Sequence, residues 1–427
     1  MNFAGMKMKT NMKKIPLAFG RGKVELEIPE KNLLGVILPL EPEIQEDEDS
    51  IIKKALLNPV GSKRLSELVS SKSRIVIIVS DITRPTPSAK FLPSLLEELR
   101  LGGAKDENLT IIFALGLHRR QTEEECRKLV GNEIYENIHC IQHDRERCCS
   151  LGKTSFGTPV EVFEEVQDAD LIIGTGTIEF HYYAGYGGGG KCILPGISSE
   201  KSVLSFHSFY SQLFEGDPLS GRVNSPARKN IEEAARIAGL SFILNVVINS
   251  RKEIVAATAG DFIQAHRKGT EYVDAMYKIA VEPGDAVIAS CGGFPKDINL
   301  YQATKTLENA IPAVKENGSI VLVAECAEGL GDKVYERWNR ECKTPEEAIE
   351  RFRNCFEFGG HKSAIVGKAA RRFKLYLVSK LSEDLSRSAY FTPIESVQKA
   401  LDTILAEKPE AKVHVMPDGG WTLPVRK

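Results

Sequence analysis

The stretch between His181 and His207 combines a lysine, two histidines and a run of glycines that could together do covalent and metal chemistry. It reads H-Y-Y-A-G-Y-G-G-G-G-K up to Lys191, continues as C-I-L-P-G, and then enters a predicted short helix that carries His207. A lysine amine can bond covalently to a cofactor, and a neutral imidazole binds metals. Because glycine allows close approach to the main chain, this layout predicts a bulky planar group against the backbone that precedes Lys191.

The same glycine run also matches the phosphate-binding pattern G-x-x-x-x-G-K between Gly185 and Lys191. Cys192 then stands where a Ser or Thr would bind magnesium, and a thiol is a poor ligand for that ion. The following I-L-P-G should break a helix rather than begin one. A P-loop kinase or ATPase stays open as an alternative.

Two further candidate sites follow predicted buried strands. The strand R-I-V-I-I-V-S-D ends at Asp81, and Thr83, Arg84 and a proline then suit an anion-binding helix start. Arg84 could bind a carboxylate through its forked guanidinium, or it could pair structurally with Asp81. The strand L-T-I-I-F-A-L-G-L-H ends at His118, which is either a functional histidine at the mouth of a site or a structural histidine. Ligands of open α/β sheets bind beyond the carboxyl ends of strands, which favours a functional role at both ends.

The C-terminal half offers polar residues near two predicted helix starts. Asp297 is expected to cap a helix whose first turns carry Tyr301, Gln302 and Lys305. Gln302 and Lys305 are three residues apart and therefore share a helix face, which suits an oxygen-rich ligand or simply solvent. The segment G-G-H-K at 359–362 precedes another predicted helix and is a similar candidate.

The elements that would position these residues alternate regularly along the chain. Short apolar runs in residues 15–45 predict a small antiparallel β element, after which buried-type strands alternate with amphipathic helices. We therefore predict two α/β domains with mainly parallel, helix-covered sheets around an interdomain cleft. We expect a cofactor-binding and catalytic N-terminal domain at 15–275 and a C-terminal domain at 283–427 that closes over the substrate. Residues 1–14 are predicted to be a disordered extension.

Composition excludes several classes of protein. The 427 residues are 42% hydrophobic and 27% charged with a formal net charge of −2, which gives no reason to expect nucleic acid or an anionic membrane as partner. No apolar run approaches the length of a membrane span, and no secretory signal is apparent. The nine cysteines show no zinc-binding spacing and predict reduced thiols in a cytoplasmic protein.

Taken together, the motifs resemble the lactate racemase family that uses a nickel-pincer nucleotide. The resemblance covers nearly the whole chain: S-D-I-T-R-P, G-L-H, the block E-F-H…Y-G-G-G-G-K…H, and P-K-D-I-N-L-Y-Q-A-T-K follow the family's order and approximate spacing. The resemblance implies an isomerase that racemises or epimerises 2-hydroxy acids by proton-coupled hydride transfer to this cofactor. A base takes the hydroxyl proton, and the hydride can return to either face of the flat keto acid.

The resemblance also implies a role for each matching residue. The cofactor is a pyridinium-3-thioamide-5-thiocarboxylic acid mononucleotide that carries nickel, and it is tethered to the lysine that matches Lys191. The histidine that matches His207 completes the nickel coordination, and the two that match His118 and His181 transfer protons. Further cofactor contacts are expected from Asp81, Thr83, Gly188, Gly189 and Gly190. Substrate contacts are expected from Arg84, Tyr301, Gln302, Lys305, His361 and Lys362.

One departure from the family pattern bears on the substrate. Lactate-specific members place a tryptophan near the substrate methyl group, whereas the matching segment here reads F-E-F-G-G-H-K-S-A. His361 or Lys362 could instead meet a second carboxylate or sugar hydroxyls, which favours a malate-like or sugar-acid substrate over lactate. Proteins that make the cofactor are the expected partners. A non-catalytic nickel or cofactor carrier is a further alternative.

Overall fold

The computed structural model of the protein describes residues 11–214, 216 and 218–427. In these ranges the strands are β1 (Met12–Phe19), β2 (Gly22–Pro29), β3 (Leu33–Val36), β4 (Ile75–Ser80), β5 (Leu109–Ala114), β6 (His139–Gln142), β7 (Cys148–Lys153), β8 (Pro159–Phe163), β9 (Leu171–Thr177), β10 (Phe180–His181), β11 (Gly185–Tyr186), β12 (Leu240–Ile248), β13 (Ile254–Asp261), β14 (Lys278–Val281), β15 (Gly284–Ser290), β16 (Val314–Val323), β17 (Lys374–Val378), β18 (Thr392–Pro393), β19 (Val413–Met416) and β20 (Leu423–Arg426).

The helices of the same ranges connect these strands. They are α1 (Glu48–Leu57), α2 (Leu65–Leu68), α3 (Ser88–Leu101), α4 (Glu123–Val130), α5 (Asn132–Asn137), α6 (Glu200–Leu213), α7 (Pro226–Ile237), α8 (Gln264–Tyr277), α9 (Leu300–Ala310), α10 (Lys333–Glu341), α11 (Pro345–Asn354), α12 (His361–Ala370), α13 (Glu383–Ser388) and α14 (Val397–Glu407). None of the helices in the described ranges is both long and apolar enough to span a membrane.

The chain divides into two structural units. One of them, the N-terminal unit, comprises residues 41–276 and carries most of the candidate site residues. Its central sheet has the strand order β13-β12-β9-β4-β5-β6. The pairs β12–β9, β9–β4, β4–β5 and β5–β6 are parallel, and β13 is added antiparallel to β12. Strand β9 is buried along its whole length, as expected for a sheet covered on both faces. The loops beyond the carboxyl ends of β4, β5 and β9 carry the candidate residues.

The second unit, the C-terminal unit, comprises residues 11–40 and 277–427 of the described ranges. Its sheet has the order β18-β17-β16-β15-β19-β3, with every pair parallel. The helices α9 and α12 pack in its larger core with Leu300, Ala303 and Val366. Both candidate segments of the C-terminal half belong to this unit.

The N-terminal residues are placed differently from the sequence prediction, which assigned 15–275 to one domain. Residues 15–40 join the C-terminal unit, because β3 pairs with β19 and the antiparallel hairpin β1–β2 buries Ile15 and Leu26 in one core with Ile288. Of the predicted disordered extension 1–14, residues 1–10 lie outside the described ranges and residues 12–14 form the start of β1.

The predicted fold class is confirmed. Both units are α/β with mainly parallel sheets, and a small antiparallel β element stands at the N-terminus. The continuous apolar runs of the strands explain this outcome, because a strand buried on both faces needs helices on each side. The cleft between the two units stays a prediction.

Candidate functional site

The glycine run lies in a tight loop that ends in Lys191. After β9 the chain forms the short antiparallel pair β10–β11 and then a 3₁₀ helix at Gly189–Cys192. Gly188 and Gly189 have φ angles of 67° and 59°, which L side chains rarely adopt. Lys191 lies partly exposed on the 3₁₀ helix. The next α-helix, α6, begins only at Glu200, so Lys191 lacks the adjoining helix N-terminus that a P-loop uses to bind phosphate.

The bare backbone of this loop is required by the protein's own packing. A Cβ at Gly188 would lie 2.7 Å from Asn245 Oδ1, and one at Gly190 would lie 2.8 Å from the Cβ of Ala235. At Gly189 the added atom would lie 2.9 Å from His266 Cδ2. The sequence interpretation, that the glycines make room for a planar group, is therefore incomplete. These positions are filled by neighbouring protein atoms, whatever else contacts their free side.

Side chains that the sequence analysis did not select hold the same loop. Arg228 of α7 has no exposed surface and donates to main-chain carbonyls of the loop, while His266 Nε2 donates to the Gly187 carbonyl at 2.8 Å. Asn245 Oδ1 accepts from the Gly189 N–H at 2.8 Å. No local motif marks these residues, because they lie some 40 to 80 positions further along the chain; only the fold brings them to the loop.

His207 lies within electrostatic range of Lys191. Helix α6 is capped by Ser199, whose hydroxyl accepts from the Ser202 N–H, and His207 lies two turns into it. Burial, together with the positive charge of Lys191, lowers the pKa of His207 to about 3. The imidazole is therefore neutral at physiological pH and has a lone pair that can bind a metal. Its ring packs beside Tyr183, whose hydroxyl donates to the Phe206 carbonyl at 2.5 Å.

His118 is oriented by a buried carboxylate. Its Nδ1 lies 2.7 Å from Asp81 Oδ2, and Asp81 is only 3% exposed. Thr83 donates its hydroxyl to the same carboxylate at 3.0 Å. A carboxylate accepts hydrogen bonds, so Nδ1 carries the ring proton and Nε2 has the lone pair. The predicted site residues Asp81, Thr83 and His118 thus form one cluster, and Arg84 follows it with its N–H bonded to the Asp81 carbonyl at 3.1 Å.

The His118 loop and the Lys191 loop are joined through the main chain. The Gly116 N–H donates to the Gly196 carbonyl at 2.8 Å, and the Gly196 N–H donates to the Lys191 carbonyl at 3.1 Å. Gly116 has a φ of 53°, and a Cβ there would lie 3.4 Å from the Pro195 carbonyl oxygen. Two segments more than 70 residues apart in sequence are therefore brought to the same edge of the sheet, beyond β4, β5 and β9.

His181 has the opposite ring tautomer from His118. Its Nδ1 accepts the main-chain N–H groups of Tyr183 at 3.3 Å and Ala184 at 3.1 Å. Because an amide N–H can only donate, Nδ1 has the lone pair and the neutral ring carries its proton on Nε2. Tyr182 stacks on the imidazole with ring centroids 4.9 Å apart. One candidate histidine therefore presents a proton acceptor and the other presents a donor.

The candidate residues of the C-terminal unit fall into two groups. Tyr301, Gln302 and Lys305 lie on the first turns of α9, where Lys305 is exposed and the other two are partly buried. The helix cap differs from the prediction: Asn299 caps α9 by accepting from the Gln302 N–H at 3.0 Å. Asp297 is fully buried instead, and its Oδ2 accepts the Gly20 N–H at 2.6 Å.

His361 and Lys362 start α12 and are each only 1% exposed. The Lys362 ammonium lies 3.4 Å from Glu308 Oε2, and burial lowers the pKa of Lys362 and raises that of Glu308. A tryptophan does lie close to this segment in space, although the segment itself contains none. Trp338 is fully buried and packs on Gly360, and its indole N–H donates to Glu357 at 2.6 Å.

Comparison with known proteins identifies the family. The family model described as the lactate racemase N-terminal domain matches residues 19–214, and that of the lactate racemase C-terminal domain matches residues 279–422. The lactate racemase of Thermoanaerobacterium thermosaccharolyticum is 34% identical over 423 residues, which covers 96% of this chain and 98% of the relative. The lactate racemase of Lactiplantibacillus plantarum is 31% identical over 416 residues, covering 95% and 98%.

Solved structures give the same result. The lactate racemase apoprotein from Thermoanaerobacterium thermosaccharolyticum superposes with a TM-score of 0.89 at 32% identity, covering 96% of this chain and all of that one. A Thermotoga maritima protein, at 22% identity and a TM-score of 0.65, shares the fold over 88% of this chain and 97% of its own. The chain therefore belongs to the lactate racemase family of isomerases.

Proposed function

We propose that this protein racemises or epimerises 2-hydroxy acids with a nickel-pincer nucleotide attached to Lys191. The observation that carries the proposal lies in residues 41–276. There the charge of Lys191 acts on the neutral, half-buried imidazole of His207, and the Asp81 carboxylate orients His118 in a loop that is hydrogen-bonded to the Lys191 loop. Membership of the lactate racemase family supports it, because the relatives that match over nearly the whole chain are lactate racemases.

The residues present fit such a cofactor. An amine for the covalent link (Lys191) and a neutral nitrogen ligand (His207) lie near each other, which a tethered metal group requires. Among the described residues no group of three or more His, Cys, Asp or Glu side chains could hold a metal ion. His207 would supply one donor to such a metal, and the sulfur and carbon donors of a pincer ligand would supply the others. A donor set of carbon, sulfur and nitrogen suits divalent nickel.

The protein's own residues would bind the substrate and move its protons. When bound, the cofactor supplies the centre that accepts hydride from C2 of the substrate. His118 can accept the hydroxyl proton at Nε2, and the imidazolium that results is stabilised by the Asp81 carboxylate at Nδ1. His181 presents Nε2–H and can donate to a substrate oxygen. Arg84 would bind the substrate carboxylate, and Tyr301, Gln302 and Lys305 would contribute from the C-terminal unit.

The substrate preference that we propose is for a malate-like or sugar-acid 2-hydroxy acid over lactate. Trp338, which packs on Gly360 of segment 356–364, has no exposed surface with which to meet a substrate methyl group. Lys362 is 1% exposed and lies against Glu308, whereas Lys305 is exposed on α9, so Lys305 is the cation that we expect to meet a second carboxylate.

A direct test is to follow loss of optical purity in single enantiomers of lactate, malate and an aldonate. The protein should be purified from a host that makes the cofactor, and proteins that make it are the expected partners. We expect racemisation by the native chain, and a loss of at least 100-fold in the His118→Ala and His181→Ala variants with cofactor and nickel still bound. Retained activity in both variants would contradict the proton-transfer roles, and a loaded but inactive native chain would favour a carrier. Equal turnover of lactate and malate would refute the substrate preference.

A further inference from the structure

Arg228 makes an unusual set of contacts with the loop that carries Lys191. Its Nε donates to the Ala184 carbonyl at 3.0 Å, Nη1 donates to the Gly188 carbonyl at 3.3 Å, and Nη2 donates to the Tyr186 carbonyl. The side chain has no exposed surface. One guanidinium therefore fixes every second carbonyl over five residues, and its rigid planar fork is suited to this task.

The position of Arg228 in its helix places its positive charge where the helix dipole disfavours it. It is the third residue of α7, which starts at Pro226 after the Ser225 cap. A cation in the first turn opposes the helix dipole, which favours negative charge there. Burial also lowers the pKa of Arg228 to about 10, so the surroundings disfavour its charged form. The contacts to the loop, with help from the nearby Glu232 charge, must offset both costs.

Two other buried side chains form hydrogen bonds with main-chain groups of the loop that Arg228 does not contact. His266 Nε2 donates to the Gly187 carbonyl at 2.8 Å, and Asn245 accepts from the Gly189 N–H at 2.8 Å. Burial keeps the pKa of His266 well below its usual value, so this imidazole is a neutral donor. Together the three side chains satisfy polar groups of a segment that is rich in glycine and would otherwise lose much conformational entropy on becoming ordered.

We propose that Arg228 is a positioning residue for Lys191, and that with His266 it fixes the glycine loop so that the amine is held in place before any cofactor is attached. The part of this inference that concerns attachment rests on the proposed function. The part that concerns the loop rests only on the contacts above. The fixed loop would keep Lys191 within reach of its reaction partner and lower the entropic cost of attachment.

The test uses the full chain made in a host without the cofactor. Arg228→Lys keeps the charge but cannot span three carbonyls, His266→Leu removes the donor to Gly187, and His266→Gln restores one. Lys229→Met is the matched control, since Lys229 is the exposed neighbour of Arg228 on α7. Hydrogen exchange of peptides from 184–190 measures loop order. Acetylation of Lys191 by N-hydroxysuccinimidyl acetate, relative to the exposed Lys201, measures presentation of the amine.

We expect loop exchange at least tenfold faster in Arg228→Lys and several-fold faster in His266→Leu, with a matching fall in Lys191 acetylation relative to Lys201. Peptides from β4 and β5 should be unchanged, which separates this effect from general unfolding. His266→Gln and Lys229→Met should resemble the native chain. If folded Arg228→Lys and His266→Leu showed the loop exchange and acetylation of the native chain, the inference would be overturned. If Arg228→Lys does not fold, the result for His266→Leu tests the inference alone.

Attachment is measured by intact mass after expression in a host that makes the cofactor. We expect the modified fraction to fall several-fold in Arg228→Lys. A loosened loop with an unchanged modified fraction would overturn the positioning role. If the native chain carries no adduct while its loop still responds to the substitutions, the proposed function fails and the inference about the loop stands.

Discussion

Two glycine-lysine segments of this protein have similar sequences and opposite outcomes. G-G-G-G-K ends in Lys191, which is partly exposed on a 3₁₀ helix near a neutral imidazole. G-G-H-K ends in Lys362, which is 1% exposed and lies 3.4 Å from Glu308. In the first segment the lysine stays partly exposed, and in the second it is part of the core.

The difference arises from what packs around each segment. Around the first loop, Arg228 and His266 hold the main chain and leave the lysine side chain outside the core. In the second, Gly360 packs directly on the Trp338 ring, and α12 starts there and carries Lys362 inward. The local pattern therefore does not decide whether a lysine is presented or buried. Buried side chains from distant parts of the sequence decide it.

The largest expected contrast is in covalent loading. Lys191→Met should abolish the cofactor adduct, because the amine that forms the link is gone, whereas Lys362→Met should leave the adduct intact. Intact-protein mass after expression in a cofactor-making host measures both. An adduct of unchanged mass in Lys191→Met, or its loss in folded Lys362→Met, would break the comparison.

The next effect concerns the histidine cluster beside the first segment. Asp81→Asn should lower kcat by about 100-fold, because an amide no longer fixes the tautomer of His118 or stabilises its imidazolium. Initial racemisation rates measured across a pH series test this fall in kcat. The KM of Asp81→Asn should change less than its kcat. Thr83→Val is the control; it removes one donor to the carboxylate and should cost only a few-fold. Equal losses in the two variants would show that Asp81 does not act through His118.

Substitution of Lys362 in the second segment should change the stability of the protein. Lys362→Met leaves Glu308 without its buried partner and should lower the free energy of unfolding by about 2–3 kcal/mol. Denaturant unfolding followed by tryptophan fluorescence suits this test, since Trp338 and Trp421 both belong to the C-terminal unit. The double variant with Glu308→Gln should recover part of the loss. A native-like midpoint in Lys362→Met would mean that the pair contributes little.

A smaller effect is the dependence of stability on pH that the buried His143 causes. Burial lowers the pKa of His143 in the N-terminal unit to about 4, below its value near 6.5 in an unfolded chain. The unfolded state therefore binds more protons between these values, so stability is full above about pH 6.5 and falls as the pH drops toward 4. The loss between pH 7 and 5 should be about 2 kcal/mol for this group. His143→Gln should reduce the slope of stability against pH in that window, and an unchanged slope would contradict the assignment.

Much of the fold and part of the site could be predicted from sequence. Buried strands such as β4 and β9 appear as continuous apolar runs, and the ends of β4 and β5 correctly located Asp81 and His118 at one edge. Pairing across long separations leaves no local signal. The placement of β1–β3 with the C-terminal unit, the capping of α9 by Asn299 and the contacts of Arg228 were therefore missed.

The fate of the hydrogen at C2 tests the central claim most directly. A single enantiomer of the preferred 2-hydroxy acid, deuterated at C2, should be racemised by the loaded protein in ordinary water. If hydride moves to the cofactor and back, the product of opposite hand retains the deuterium at C2. Complete exchange of that deuterium with solvent during inversion would show proton abstraction instead and would contradict the account.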